Sequence, residues 1–287
     1  MKTIANKLLI QFLLLISRLP FSILWLVSDV LYYLFYRLVK YRVKVVRKNL
    51  CLSFPEKTNK ELLILEKKFY KYLSDLVVET VKGFTISRKE LKKRIDFQCG
   101  TIYDELYENR KSAIVVMGHS GNWEWVCRAA PIFMKNRIVV AYKPLTNPHF
   151  EKLMLKARTE LGVIQIPMAQ IGKFILQQKE PYLLILAADQ SPSDSKTSIW
   201  VNFLNQETAV LPGPEKLAMK FNLPVIFHNV NRTKRGVYKC TAQYLVKESS
   251  NTANGEITAL HSAHLEKEII KQPEIWLWSH KRWKLKK

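Results

Sequence analysis

The stretch VVMGHSGNWEW, residues 115–125, holds His119 and, five positions later, Glu124. Imidazole exchanges its proton near neutral pH, and a carboxylate bonded to one ring nitrogen fixes the tautomer and leaves the other nitrogen free as a base. The pair therefore reads as a base and its orienter, two members of a catalytic triad without the serine. The bland alternative has His119 satisfying a turn while Glu124 complements the dipole of the following helix. Ser120 is a third candidate, as a nucleophile at a strand-to-helix elbow. That elbow needs Gly-x-Ser-x-Gly, and here the second glycine, Gly121, comes one residue early.

Any of these readings requires a strand and a helix to hold the turn. The apolar run at 113–117 predicts a strand ending just before His119, at the edge where open α/β sheets place their ligands. Gly118 and Gly121 permit a tight turn. Asn122 is a suitable N-cap for a helix starting at Trp123, which puts Glu124 in its first turn. Further apolar runs at 137–142, 163–166, 182–188, 224–230 and 238–246 alternate with amphipathic segments. They predict an α/β fold with a mixed sheet covered by helices. Residues 59–82 have the spacing of one long amphipathic helix, and 88–95 that of a short one.

The first forty residues differ from the rest. From 8 to 39 the chain is mostly apolar, interrupted by Arg18, Pro20, Asp29 and Arg37. The cleanest stretch, 19–36, approaches the roughly 20 residues of a spanning helix. Asp29 inside it costs about 2.5–3.5 kcal/mol at mid-membrane, which leaves open a tilted span, an interfacial hairpin or a buried core helix. A cleaved leader is a poorer fit, because Arg18 and Pro20 stand where small residues are required. Arg37, Lys40, Arg42, Lys44, Arg47 and Lys48 follow, against only Lys2 and Lys7 ahead, and this bias places the chain after residue 40 in the cytoplasm. The expected organisation is a membrane anchor at 1–40 and one globular domain at 41–287.

Composition narrows the partners. With 46 basic and 24 acidic side chains the net charge is +22, a field that favours nucleic acid, anionic headgroups or an acidic carrier protein. A membrane-tethered nucleic-acid binder accounts for the charge alone, since no nucleic-acid motif accompanies it. Cys51, Cys99, Cys127 and Cys240 form no Cys-x-x-Cys pair, so neither a zinc site nor a disulfide framework is indicated, and reduced thiols are expected. His228, His261, His264 and His280 lack partners at metal-ligand spacing and receive no role. No phosphate loop or dinucleotide fingerprint is present, so neither metal nor other cofactor is expected. The ending WLWSHKRWKLKK interleaves tryptophan with basic residues, as at a membrane interface, although the tryptophans could equally pack on the domain.

Several of these stretches, taken in order, resemble the lipid A biosynthesis acyltransferases of the lysophospholipid acyltransferase superfamily. GHSGNWEW resembles the superfamily's histidine-x-x-x-x-acid motif in its glutamate form. YRVKVVRKNL at 41–50, SFPE at 53–56 and YKPLTNPHFEKLMLKARTELG at 142–162 agree in order, as do AADQSP at 187–192, the Gly-Pro helix within 203–226 and WLWSHKRWK at 276–284. FLN at 203–205 departs from the usual Phe-Phe-Gly, and Glu215 stands where a small residue is common.

The resemblance implies transfer of a fatty acyl chain from an acyl carrier protein thioester to a hydroxyl of a glycolipid, a lipid A precursor, at the cytoplasmic face of the bacterial inner membrane. It implies His119 as general base and Glu124 as orienter. Arg158 becomes the candidate oxyanion donor, with turn amides at Gly121 and Asn122 as the alternative; it could equally bind an acceptor phosphate or be a surface cation. Asp189, at the end of an apolar run, is expected buried and paired with Arg158. Another amphiphile, such as a lysophospholipid, an aminolipid or a glycosylated lipid, is the competing acceptor.

Overall fold

A computed structural model of the chain describes residues 2–287. The apolar N-terminal run folds as two helices, α1 (Lys2–Arg18) and α2 (Phe21–Tyr33), broken at Pro20, whose extended backbone caps α2. A π-helical turn over Leu34–Leu38 continues α2. After α3 (Val43–Ser53) comes α4 (Asn59–Lys82), with the bounds its spacing predicts. It starts there because Thr58 and Glu61 form a reciprocal capping box, the Thr58 amide donating to Glu61 Oε2 at 2.8 Å.

Asp29 is not stranded in an apolar segment. It pairs with Arg235 at 2.7 Å, while Ser28, one residue earlier, donates to Asp75 of α4 at 2.6 Å. Leu24 is fully buried, so α2 docks along α4 by one side. Its other side exposes Leu26, Val30 and Tyr33, and α1 exposes Leu8, Phe12 and Leu15.

The chain then alternates α5 (Arg88–Arg94), β1 (Ile95–Gln98), α6 (Ile102–Glu108), β2 (Ala113–Met117) and α7 (Trp123–Phe133). It continues with β3 (Arg137–Tyr142), α8 (Pro148–Thr159), β4 (Ile164–Pro167), α9 (Ile171–Gln177) and β5 (Tyr182–Ala187). A hairpin of β6 (Ile199–Phe203) and β7 (Gln206–Val210) precedes α10 (Gly213–Phe221), β8 (Val225–Lys234), β9 (Val237–Val246) and α11 (Glu256–Lys271).

Seven strands form one mixed sheet in the order β1-β9-β8-β2-β5-β3-β4. β2 lies in the middle, parallel to β5 and β8, with Met117 level with both Ala187 and His228. Its residues are buried on both faces: Ile114 and Val116 join the core under α4 and α11, while Ala113, Val115 and Met117 join that under α5, α6 and α7. Burial on both faces is why this strand reads as an uninterrupted apolar run instead of an alternation.

Two elements were not legible. β1 lies partly within what reads as the end of the second amphipathic helix; α5 stops at Arg94 and Ile95 is already extended, beside Tyr238 of β9. The β6–β7 hairpin turns at Leu204 and Asn205, both with positive φ, 50° and 60°. Two such residues suit a tight primed turn, and asparagine tolerates that conformation where the resembling sequences use glycine. Glu215 has a structural explanation as well. It is buried and accepts from the backbone amides of Gly255 and Thr258, satisfying the start of α11.

Candidate active site

β2 delivers the chain to its carboxyl edge, and Gly118 and Gly121 turn it over. A Cβ at Gly118 would sit 2.5 Å from a Leu265 methyl. Gly121 has φ +57°, and a Cβ there would meet Val230 at 2.7 Å. The expected cap is present: Asn122 Oδ1 accepts from the Trp125 amide at 3.0 Å, and α7 begins at Trp123.

His119 does not bond to Glu124. Its Nδ1 pairs with Asp189 Oδ1, and its backbone amide donates to Asp189 Oδ2 at 2.8 Å. Trp276 Nε1 donates to the same Oδ2 at 2.8 Å. The orienting carboxylate is therefore Asp189, and the reason is register. Met117 and Ala187 are level on adjacent parallel strands, so residues two beyond each, 119 and 189, meet above the sheet edge. His119 Nε2 is left facing Gln190 Nε2 at 3.3 Å.

Glu124, in the first turn of α7, reaches α8 instead. Arg158 grips it through two nitrogens, with Nε to Oε2 at 2.9 Å and Nη2 on Oε1. The expected Asp189–Arg158 pair is thus replaced by two separate pairs, His119 with Asp189 and Arg158 with Glu124. Arg158 Nη1 has no hydrogen-bond partner among the described residues.

The other expected donors are engaged. The Gly121 amide donates to Ile275 O at 3.1 Å and its carbonyl accepts from Tyr72 at 2.7 Å. Asn122 is 1 % exposed, and its Nδ2 donates to Glu79 Oε2 at 2.7 Å. The Gly121 amide and the Asn122 side chain thus hold the turn and are not free to bind an oxyanion. Ser120 has no hydrogen bond to His119; it bridges to Trp276.

Electrostatics follow from these contacts. Burial depresses the His119 pKa, but the charge and hydrogen bond of Asp189 outweigh it, and the net shift is upward from 6.5. Burial alone would raise Asp189; His119 and the Trp276 donor bring it well below the usual carboxylate range. Burial and the nearby Glu124 charge push the Cys127 thiol up to about 12, so it offers no thiolate nucleophile at neutral pH.

His119, Glu124 and Arg158 line one cavity of about 310 Å³ together with apolar side chains such as Trp123, Val140 and Ile185. Gly213 and Leu217 of α10 close another side. The volume is within the range of small-molecule sites, about 300–1,000 Å³. A base with a fixed tautomer at the wall of an apolar cavity, beside a guanidinium, can take a proton from a hydroxyl while an apolar chain lies in the cavity.

Sequence reasoning missed Trp276 as part of this site. The tryptophans of the carboxyl-terminal segment do not form a membrane-facing belt: Trp276 is 2 % and Trp278 0 % exposed. Trp278 Nε1 donates to Pro273 O at 2.6 Å, and Trp283 Nε1 to Thr208 at 2.7 Å.

The pattern of the family described as bacterial lipid A biosynthesis acyltransferase matches residues 2–285. Among curated proteins no significant match is found.

Proposed function

We propose a specific reaction from the premise that this chain belongs to the bacterial lipid A biosynthesis acyltransferase family and is an acyltransferase. The donor is a fatty acyl thioester of acyl carrier protein, and the acceptor is a hydroxyl of a lipid A precursor. The observation that carries this reading is His119, its Nδ1 fixed by Asp189 and its Nε2 turned away from that bond, at the wall of an apolar cavity that also holds Arg158.

In this reading the acceptor hydroxyl displaces the long Gln190 contact and gives its proton to His119 Nε2 as its oxygen attacks the thioester carbonyl. Asp189 stabilises the resulting imidazolium. The tetrahedral intermediate collapses, the carbon–sulfur bond breaks, and the departing sulfur takes the proton from Nε2, so ester and thiol leave and the base is restored. Arg158 is the oxyanion or phosphate donor through its unpaired Nη1, and Glu124 is a positioning residue that aims the guanidinium. Losing one preorganised donor to an oxyanion typically costs about 10²–10³ in rate.

The +22 charge suits both an acidic carrier protein and a phosphorylated glycolipid. The exposed apolar sides of α1 and α2 support membrane association, with α2 held on the domain by Asp29–Arg235 and Ser28–Asp75. This favours an embedded interfacial pair over a lone spanning helix, and the basic residues after 36 fit the cytoplasmic leaflet.

The test is transfer of labelled acyl groups from acyl carrier protein to an under-acylated lipid A precursor by the purified chain in detergent. Native activity that disappears in folded His119→Ala supports the reading. Transfer to a lysophospholipid or aminolipid but not to lipid A precursors replaces the acceptor, and full activity in His119→Ala overturns the base assignment.

A further inference from the structure

Behind the active-site strand, on the face covered by α5, α6 and α7, three side chains distant in sequence meet. Cys99 follows β1, Cys240 lies within β9 and His228 within β8. One donor atom of each lies within 4.8 Å of the others. All three are buried, at 6 %, 0 % and 2 % exposure. Sheet order explains the meeting: β9 runs between β1 and β8, Phe97 is level with Cys240, and His228 is level with Ala242 two residues beyond Cys240. The wide sequence spacing that argues against a zinc site is closed by the two strand pairings.

The imidazole is the telling member. Its Nε2 is engaged by the Tyr103 hydroxyl of α6. Its Nδ1 is buried and has no hydrogen-bond partner among the described residues. A buried polar atom left unpaired is costly, and such atoms call for an explanation. The arrangement is also that of a metal-binding histidine, in which one nitrogen ligates while the other donates its N–H to a neighbouring oxygen that fixes the ring.

We propose that Cys99 Sγ, Cys240 Sγ and His228 Nδ1 bind a zinc ion, with Tyr103 accepting the Nε2 proton and a water completing the tetrahedron. Two thiolates and an imidazole are a zinc donor set. Charge favours a dication over a monovalent ion, and the donor set favours zinc. Entry of Zn²⁺ displaces the two thiol protons to solvent, and the dication with two thiolates is neutral, as an interior site requires. A monovalent copper ion with the same ligands leaves one uncompensated negative charge in the core. No electron moves, and the ion is distinct from the acyl-transfer chemistry, which uses other groups. Its mechanical effect is to tie β1 and β9 to β8, the strand hydrogen-bonded to β2 immediately before the His119 turn.

The full chain, purified in detergent without chelator and with reductant, is analysed for metal content and for its cobalt spectrum after exchange. The expected results are about one zinc per chain and, with Co²⁺, the thiolate charge-transfer band and visible bands of tetrahedral cobalt. Cys99→Ser, Cys240→Ser and His228→Ala should each lower metal retention at least tenfold, while Cys51→Ser, at an exposed site, retains it. Native protein that holds no zinc and gives no cobalt thiolate band overturns the proposal without recourse to variants. So does a mass two hydrogens lighter under non-reducing conditions with Cys99 joined to Cys240, or full metal retention in the Cys99/Cys240 double variant.

Discussion

Asp189→Asn separates the two carboxylates that could orient His119. Asp189 Oδ2 accepts from the His119 amide and from Trp276, both at 2.8 Å, while Oδ1 faces His119 Nδ1. An asparagine keeps both 2.8 Å bonds only by placing its oxygen at the Oδ2 position, which turns its NH₂ toward Nδ1. That nitrogen must then accept, so the ring proton moves to Nε2 and the lone pair needed for the acceptor hydroxyl is lost. General-base catalysis is worth about 10²–10⁴ in rate, so kcat should fall by that factor, about 2.7–5.4 kcal/mol of barrier, with little change in fold. The pH profile gives a second reading. In the proposed reaction the base works when neutral, so activity rises with pH through the His119 pKa, which Asp189 holds above 6.5. Without the carboxylate charge the residual activity should rise at lower pH than in the native enzyme. The assay is kcat against pH for native, Asp189→Asn and Glu124→Gln enzymes. If Asp189→Asn kept native kcat with an unmoved limb while Glu124→Gln lost both, the orienter would be Glu124 and the reasoning would fail.

Three other outcomes are expected. Burial lifts Glu79 to about 7, against the Tyr238 and Asn122 hydrogen bonds that favour its charged form. Because the folded-state pKa exceeds the unfolded one, its contribution is present below about 4.5 and is lost as pH rises through 7, a cost of ~3 kcal/mol in the alkaline range. Glu79→Gln should therefore flatten the fall in Tm between about pH 4.5 and 7, measured by calorimetry. Gly121→Ala combines a left-handed backbone with a Cβ 2.7 Å from Val230, and should cost about 1–3 kcal/mol in denaturant unfolding along with most of the activity. Val140→Trp fills part of the cavity and should move preference toward shorter acyl donors; competition between donors of mixed length reads the shift, and an unchanged preference would place the chain elsewhere.

The local part of this architecture was readable because local physics dictates it. Thr58 and Glu61 announce the start of α4, and Asn122 that of α7, through side chains that satisfy amides a turn away. The central strand, the turn at Gly118 and Gly121, and the position of His119 at the sheet edge follow from one apolar run and two glycines. What failed was pairing across strands. Glu124 is near His119 in sequence, but α7 turns it toward α8, whereas Asp189 is 70 residues away and adjacent through β5. Equal offsets from Met117 and Ala187 encode that contact, yet become visible only when β2 and β5 are known to be neighbours. The same holds for Cys99, Cys240 and His228. The tryptophans misled for another reason: lysines and arginines between buried rings can reach solvent or backbone, as Arg282 does by donating to Ala209 O at 2.6 Å, so the interleaving does not tell core from interface.

The segment after α11 completes the turn that holds His119. Ile275 receives the Gly121 amide and Trp276 secures Asp189, so two of the bonds that shape the turn come from residues made long after the turn itself. A nascent chain that has completed β2, α7 and β5 has its histidine and carboxylate but neither tether. The turn that carries His119 therefore gains both tethers only once the chain has been made past Trp276, more than 150 residues after the turn itself.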